Sequence, residues 1–177
     1  MIDSRFAEVL RQLHNNLNMD EINWAVTGSL GLALQGMDVD VHDIDIQTDK
    51  SGAYDIENRL SQHVVRNVEF STSEKICSYF GELSIDGIKV EIMGDIQKRL
   101  PNGTWEDPID ICDNRCFIEY DGLSIPVISL EYECEAYDRL GRTEKADQVR
   151  KYLRGVEEGL RPSSKNHFPF PLKRGRG

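Results

Sequence analysis

WAVTGSLGLALQGMDVDVHDIDIQT, residues 24–48, predicts a strand, a tight turn, a short helix, a loop and a second strand. The apolar run at residues 25–27 ends at Gly28-Ser29, and the small residues that follow are typical of a helix packed closely on a sheet. Residues 42–46 alternate polar and apolar side chains, which is the period-two pattern of a half-buried strand. The rest of the chain is organised around these two strands and their helix.

Two aspartates occupy one face of the second predicted strand. Asp43 and Asp45 are two positions apart, so both carboxylates point the same way, roughly 7 Å from each other along the strand. Neighbouring carboxylates repel, and a fold keeps them more readily with a divalent cation between them. The alternative is a solvated strand face, and the pair alone favours that alternative.

Gly28-Ser29 precedes the short helix and has the chemistry of a phosphate-binding turn. Backbone N–H groups at a helix N-terminus attract phosphate oxygens, glycine permits close approach, and the serine hydroxyl adds a hydrogen bond. The alternative is a simple helix cap. A phosphate turn followed by a metal-binding acid pair is the minimum needed to handle a nucleoside triphosphate (NTP).

The charge is unevenly distributed along the 177 residues, which carry a net charge of −10. Residues 161–177 contain five basic residues and no acid, so residues 1–160 carry a net charge of −15. An acidic body repels phosphates, which argues against non-specific DNA binding and favours a metal–nucleotide complex or a small cationic substrate. We found no signal peptide and no long apolar segment, so we expect a cytoplasmic protein with no membrane contact.

Periodicity and turn residues predict the remaining elements. Two hairpins are indicated by Asp86-Gly87 and Asp121-Gly122 between β-prone runs. The others are a helix at residues 2–17, a Ser51-capped helix at 53–62, a strand at 63–70, a loop at 99–114, and helices from the Ser129 cap to 140 and over 143–153.

A third carboxylate lies on the first hairpin. Residues 88–93 alternate, so Val90 and Ile92 face one way and Glu91 the other. If this strand pairs beside the aspartate strand, the three acids form a site for two divalent ions about 4 Å apart. The alternative is an ordinary outward-facing acid.

In order and spacing, Gly28-Ser29, Asp43-x-Asp45 and Glu91 resemble the nucleotidyltransferase superfamily related to DNA polymerase β, over about residues 22–95. The likeness is greatest to its minimal, aminoglycoside and lincosamide nucleotidyltransferases and its antitoxin-and-toxin group. It implies an α+β fold, a mixed β-sheet with helices on one face and the active site on the other. It also implies a nucleotidyltransferase-like domain at 1–128 and a helical annex at 129–160, followed by the basic, proline-rich tail at 161–177.

The resemblance also implies an activity: transfer of a nucleoside monophosphate from an NTP to a hydroxyl, with release of pyrophosphate. By this resemblance Asp43, Asp45 and Glu91 are the catalytic residues and hold two Mg²⁺ ions, and Glu91 takes the proton of the acceptor hydroxyl. Gly28 and Ser29 hold the β- and γ-phosphates. The acceptor is a small molecule, a protein or an RNA end, and the acidic body favours a cationic, aminoglycoside-like one.

The chain departs from the superfamily pattern at three places, one of which is Val41-His42 before the aspartate pair, where an Arg or Thr is usual. Glu91 stands where Asp is more usual, and its extra methylene moves the carboxylate by about 1 Å. The annex lacks the usual lysine for the triphosphate, for which Arg139, Lys145 and Arg142 are the candidate replacements. Two alternatives therefore stay open. One is a non-catalytic nucleotide-binding or antitoxin-like member with a partner protein. The other is an α+β scaffold with solvated acids, in which Glu91 lies far from the aspartates.

Overall fold

A seven-stranded sheet forms the centre of the protein, whose computed structural model describes residues 2–17 and 20–159. The strands are β1 (Trp24–Thr27), β2 (Ile44–Thr48), β3 (Val64–Thr72), β4 (Ile76–Ile85), β5 (Ile88–Lys98), β6 (Arg115–Tyr120) and β7 (Leu123–Ile128). Their spatial order is β3-β4-β5-β2-β1-β7-β6. The β2–β5 and β1–β7 pairs are parallel and the other pairs are antiparallel, so the predicted mixed sheet and α+β class are confirmed.

Six α-helices accompany the sheet within the described residues. They are α1 (Ser4–Asn16), α2 (Gly28–Leu34), α3 (Lys50–Arg59), α4 (Ile111–Asn114), α5 (Leu130–Arg139) and α6 (Thr143–Glu157), with a 3₁₀ turn at Ser61–His63. No helix in these ranges is both long enough and apolar enough to cross a membrane.

The two predicted Asp-Gly hairpins are present and have the expected turn geometry. Asp86 and Gly87 have φ values of 50° and 78°, and Asp121 and Gly122 have φ values of 51° and 76°. Two successive residues with positive φ are typical of the type I′ turn, whose twist matches that of the flanking strands. These turns set the registers of the β4–β5 and β6–β7 pairs.

The main hydrophobic core lies between one face of the sheet and helices α1, α2 and α3. Alternate strand residues point into it, as the period of two requires. Its buried members include Trp24, Val26, Ile44, Ile46, Val90, Ile92 and Val127 from the strands, and Val9, Leu10, Leu30 and Ile56 from the helices. The opposite face is therefore left for polar groups over β2 and β5.

The C-terminal helices lie on that opposite face, at the β1–β7 side of the sheet. Tyr132 and Ala136 of α5 pack against Ala25 and Ile128, which point away from the main core. Helix α6 packs on α5 and on Leu32. The predicted division of the chain at residue 128 stays a prediction, and the tail at 161–177 lies outside the described residues.

Both boundaries of one predicted helix and the end of another were wrong; the first, predicted to end at 62, ends at Arg59. The helix predicted at 53–62 begins at Lys50, because Asp49 and not Ser51 caps it: the Asp49 carboxylate accepts the Gly52 N–H at 2.7 Å and the Ser51 hydroxyl at 2.9 Å. The helix predicted to end at 153 continues to Glu157, shortly before a glycine with positive φ. The Ser129 cap of α5 is confirmed by the Tyr132 N–H.

Candidate active site

Pairing of β2 with β5 brings the three predicted acids together. Asp45 lies directly opposite Glu91 in the register, and Asp43 immediately precedes β2. One carboxylate oxygen from each of the three residues lies within 4.8 Å of the others. The adjacency on which the sequence hypothesis depended is therefore present, and the scaffold alternative with a distant Glu91 is contradicted. The roles of these acids as metal ligands and catalytic groups stay predictions.

The acidic cluster is electrostatically unfavourable as it stands. Burial, followed by the charges of Asp43 and Glu91, raises the pKa of Asp45 to about 7. Lys89, on β5 with Glu91, partly offsets the repulsion among the three carboxylates. Its Nζ lies 2.6 Å from Glu91 Oε1 and 3.1 Å from Asp43 Oδ2. These two contacts, the Glu91 contact first, raise the pKa of Lys89. A cation is thus already favoured between Asp43 and Glu91.

This donor set fits a hard divalent cation. Carboxylate oxygens are the ligands that Mg²⁺ prefers, and three of them converge here on the polar face of the sheet. The position of the Lys89 ammonium shows independently that positive charge is stabilised at this point. Asp43, Asp45 and Glu91 are therefore the residues that would hold such an ion.

Gly28 lies against Asp45, and a larger residue at this position would displace the Asp45 carboxylate. Its φ is +64°, and a Cβ at this position would stand 2.3 Å from Asp45 Oδ2. Its N–H donates a hydrogen bond of 3.0 Å to Glu133 Oε1. Ser29 follows in the first turn of α2 and is not among the residues that line the cleft. The phosphate-binding roles of Gly28 and Ser29 remain predictions.

Glu133 of α5 was missed as a site residue by the sequence reasoning. It is only 4% exposed, and its Oε1 accepts hydrogen bonds from the Thr27 hydroxyl and the Gly28 N–H. Burial raises its pKa, although these two hydrogen bonds act in the opposite direction. A signal was available: Glu133 falls between Leu130 and Tyr137 on the buried stripe of an amphipathic helix, where an apolar residue is expected.

We expect Glu133→Leu to destabilise the protein by about 3 kcal/mol, because it leaves the buried Thr27 hydroxyl and the half-buried Gly28 N–H without their acceptor. Glu133→Gln keeps an acceptor oxygen and resembles the neutral acid that burial favours, so it should stay within about 1 kcal/mol of the parent. Urea unfolding measures both. Glu135→Leu, at an exposed position of α5, is the control. Equal losses from the two Glu133 variants would contradict this account.

The three candidate cations of the annex occupy different environments. Arg139 Nη1 lies 2.8 Å from Glu106 Oε2, in a network that also includes buried Lys98, so Arg139 serves a structural ion pair. Lys145 Nζ lies 5.6 Å from the centre of the Tyr137 ring. Arg142 is the candidate that lines the cleft, and it makes no ion pair with the described residues. Phosphate binding by any of the three stays a prediction.

An open cleft of about 450 Å³ runs over the acidic cluster, between the polar face of the sheet and helix α5. Asp43, Asp45 and Glu91 lie on its sheet side and Glu133, Tyr137 and Arg142 on its helix side. Residues of β3, β4 and the later part of β5 form the rest of its sheet side. The cleft is therefore a polar groove with its carboxylates grouped at one place and room beside them.

Comparison with known proteins agrees with this geometry. The sequence model of the aminoglycoside-2''-adenylyltransferase family matches residues 9–152. TM1012 from Thermotoga maritima, a protein assigned as a nucleotidyltransferase, is 58% identical, with a TM-score of 0.78 over 87% of this chain and 96% of that one. A search of curated proteins found no match.

Two further solved structures share the fold at low identity. The lincosamide antibiotic adenylyltransferase LnuA, bound to lincomycin, is 16% identical, with a TM-score of 0.50 over 84% of this chain and 98% of LnuA. ANT(2'')-Ia, in complex with adenylyl-2''-tobramycin, is 12% identical, with a TM-score of 0.51 over 87% of this chain and 95% of that one. With the family match covering most of the chain, the protein is a nucleotidyltransferase and belongs to the aminoglycoside-2''-adenylyltransferase family.

Proposed function

We propose that the protein transfers an adenylyl group from Mg²⁺-bound ATP to a hydroxyl of an acceptor and releases pyrophosphate. The observation that carries the proposal is the convergence of Asp43, Asp45 and Glu91, with carboxylate oxygens within 4.8 Å of one another beside an open cleft. We propose the adenylyl group as the transferred group by analogy with two proteins of the same fold. LnuA is an adenylyltransferase, and ANT(2'')-Ia was crystallised with adenylyl-2''-tobramycin. The choice of ATP among the NTPs is part of the proposal.

Each residue has a role in this reaction. Asp43, Asp45 and Glu91 would hold divalent ions, which when bound lower the pKa of the acceptor hydroxyl and offset charge on the leaving pyrophosphate. Glu91 accepts the hydroxyl proton, the acceptor oxygen forms a bond to the α-phosphorus, and the bond from that phosphorus to pyrophosphate breaks. The Gly28-Ser29 turn, of which Gly28 lines the cleft, and Arg142 on the helix side of the cleft bind the β- and γ-phosphates. Lys89 contacts the carboxylate oxygens of Asp43 and Glu91 that would hold a metal ion, so the Lys89 ammonium and the ion would compete for them.

The acceptor is proposed to be a small molecule. LnuA was crystallised with lincomycin and ANT(2'')-Ia with adenylyl-2''-tobramycin, both small molecules. A cleft of about 450 Å³ falls in the range of volumes that small-molecule ligands occupy. Protein and RNA acceptors and a cytoplasmic location were also predicted from the sequence, and they stay predictions.

Labelled ATP, Mg²⁺ and a cell extract as the source of acceptors test the proposal. We expect a labelled product from the parent protein and none from the Asp43→Asn/Asp45→Asn double variant. Asp38→Asn/Asp40→Asn is a matched control, since these exposed aspartates have the same spacing but do not line the cleft.

Equal product from the parent and from the Asp43→Asn/Asp45→Asn variant would contradict the proposal. ATP that binds with Mg²⁺ by calorimetry but is never consumed would instead support the non-catalytic alternative.

A further inference from the structure

Two side chains in the cleft are more than nine-tenths buried, and each has a polar atom without a partner among the described residues. Gln47 is 6% exposed; its Nε2 donates to the Thr27 hydroxyl at 3.2 Å, while its Oε1 has no hydrogen bond. Ser78 is 4% exposed, and its hydroxyl bonds to none of the described residues. Both residues line the cleft. Buried polar groups in folded proteins nearly always have a partner, so Gln47 Oε1 indicates a ligand, and the Ser78 hydroxyl, which bonds to none of the described residues, lies in the same cleft.

The two unpartnered atoms belong to one region beside the acidic cluster. Gln47 lies two residues after Asp45 on the same face of β2 and opposite Met93 of β5. Met93 lies in turn opposite Phe80 of β4, two residues after Ser78. Met93, Phe80 and buried Ile96 therefore make an apolar floor with a polar atom on either side.

The charge of this region differs from that of the acidic cluster. The lining residues on β3, β4 and the end of β5 beyond Glu91 include no carboxylate. Two cations line the cleft here: the Arg66 guanidinium lies 5.0 Å from the centre of the Phe80 ring, and Lys98, two residues after Ile96, forms an ion pair with Glu106. Serine hydroxyls, which are neutral, supply most of the remaining polar groups on β3 and β4. A polycationic ligand would find no opposite charge here once the acids hold metal.

We propose that this region, made by Gln47, Ser78, Phe80, Met93 and Ile96, is a binding subsite for an uncharged ring that carries an N–H or O–H donor. Phe80, Met93 and Ile96 contact the face of the ring, and Gln47 Oε1 accepts a hydrogen bond from its N–H or O–H donor. The Ser78 hydroxyl forms a hydrogen bond with a polar atom at the edge of the ring. The inference rests on the proposed function, since the ring belongs either to the base of the nucleotide or to the acceptor. Either the base or the acceptor can supply an uncharged ring with such a donor, and the experiment distinguishes these two sources.

The test uses Ser78→Ala, because this hydroxyl bonds to no other residue in the ranges 2–17 and 20–159 and its loss should leave the melting temperature unchanged. If the ring is the base, calorimetry shows Mg²⁺-bound ATP binding about fivefold more weakly, with Mg²⁺-bound tripolyphosphate unaffected. If the ring belongs to the acceptor, ATP affinity is unchanged and the rate of labelled-product formation at limiting extract falls about fivefold. Either result supports the subsite and identifies the ligand.

Two further variants complete the experiment. Ser84→Ala, at an exposed position of β4 outside the cleft, is the matched control and should change neither quantity. Gln47→Met removes the polar atom on the other side of the apolar floor. It should lower the same quantity as Ser78→Ala, either the affinity for Mg²⁺-bound ATP or the rate of labelled-product formation. Normal ATP affinity and normal turnover in both Ser78→Ala and Gln47→Met would overturn the subsite alone. Failure of the parent protein to bind Mg²⁺-bound ATP or tripolyphosphate would instead overturn the proposed function.

Discussion

Replacing Asp45 by Asn is expected to abolish nucleotidyl transfer and at the same time to raise the melting temperature of the metal-free protein. The loss follows from removing a central carboxylate of the cluster, and we expect at least about a thousandfold. The gain follows from the cost of a charge at this position, where burial and the charges of Asp43 and Glu91 oppose ionisation. A neutral amide of the same shape avoids that cost.

The stability gain depends on pH in a defined direction. The pKa of Asp45 is about 7 in the folded protein, above its ordinary value of 3.8, so the folded state holds a proton that the unfolded state has released. Stability therefore decreases as pH rises from about 4 to about 7. Asp45→Asn lacks this dependence. We expect it to exceed the parent by about 2 kcal/mol at pH 8, on the order of 5 °C in melting temperature, and by less at pH 5.

Thermal unfolding with and without Mg²⁺ measures both effects. We expect Mg²⁺ to raise the melting temperature of the parent protein, because an ion that binds only the folded state stabilises it. The Asp45→Asn variant should lose that response and the transfer activity together. A variant that melts at the parent temperature at pH 8, or that keeps its Mg²⁺ response, would contradict this account of the cluster.

Replacing Gly28 by Ala is expected to reduce activity about a hundredfold and to destabilise the protein by about 2 kcal/mol. The added Cβ would stand 2.3 Å from Asp45 Oδ2, so the carboxylate must move out of its place beside Glu91. The φ of +64° adds strain for any residue with a Cβ. The activity loss thus comes from displacing Asp45, and part of the stability loss from the backbone.

Gly122→Ala separates these two causes. Gly122 has a φ of +76°, and a Cβ there would meet nothing within 4 Å. The control should therefore show the backbone cost of about 1 kcal/mol without a change in activity. Urea unfolding and the labelled-ATP assay compare the two variants. Equal activity in Gly28→Ala and Gly122→Ala would mean that contact with Gly28 does not position Asp45.

Much of the fold could be predicted because its signals are local. Asp-Gly between two β-prone runs has few structural solutions, and both hairpins formed as expected. The Ser129 cap was found for the same reason. The Asp49 cap was missed because Asp49 and Ser51, two positions apart, are both residue types that cap helices, and Ser51 was the wrong choice. Whether Asp49 or Ser51 caps is decided by the path along which the chain enters α3 from β2.

The candidate site, like the fold, could be predicted from the sequence only where its signals are local. Period-two alternation alone put Asp43 and Asp45 on one face of their strand and Glu91 on one face of its own. Pairing of β2 with β5 across more than forty residues of chain was only a hypothesis, because strand order depends on how the whole core packs. Glu133 escaped notice because its sequence context, the first turn of a helix, explains an acid without any burial.

By itself, the sequence determined which faces are polar, where the hairpins turn and which three carboxylates are available, since these depend on backbone periods and turn conformations of a few residues. Only the tertiary structure decided that the three carboxylates meet, that Lys89 bridges two of them and that Glu133 holds the Thr27–Gly28 turn. It alone also placed the unpartnered Gln47 Oε1 and the Ser78 hydroxyl in one cleft. Such contacts join residues distant in the chain, and the free energy of burying the core on the other side of the sheet selects them.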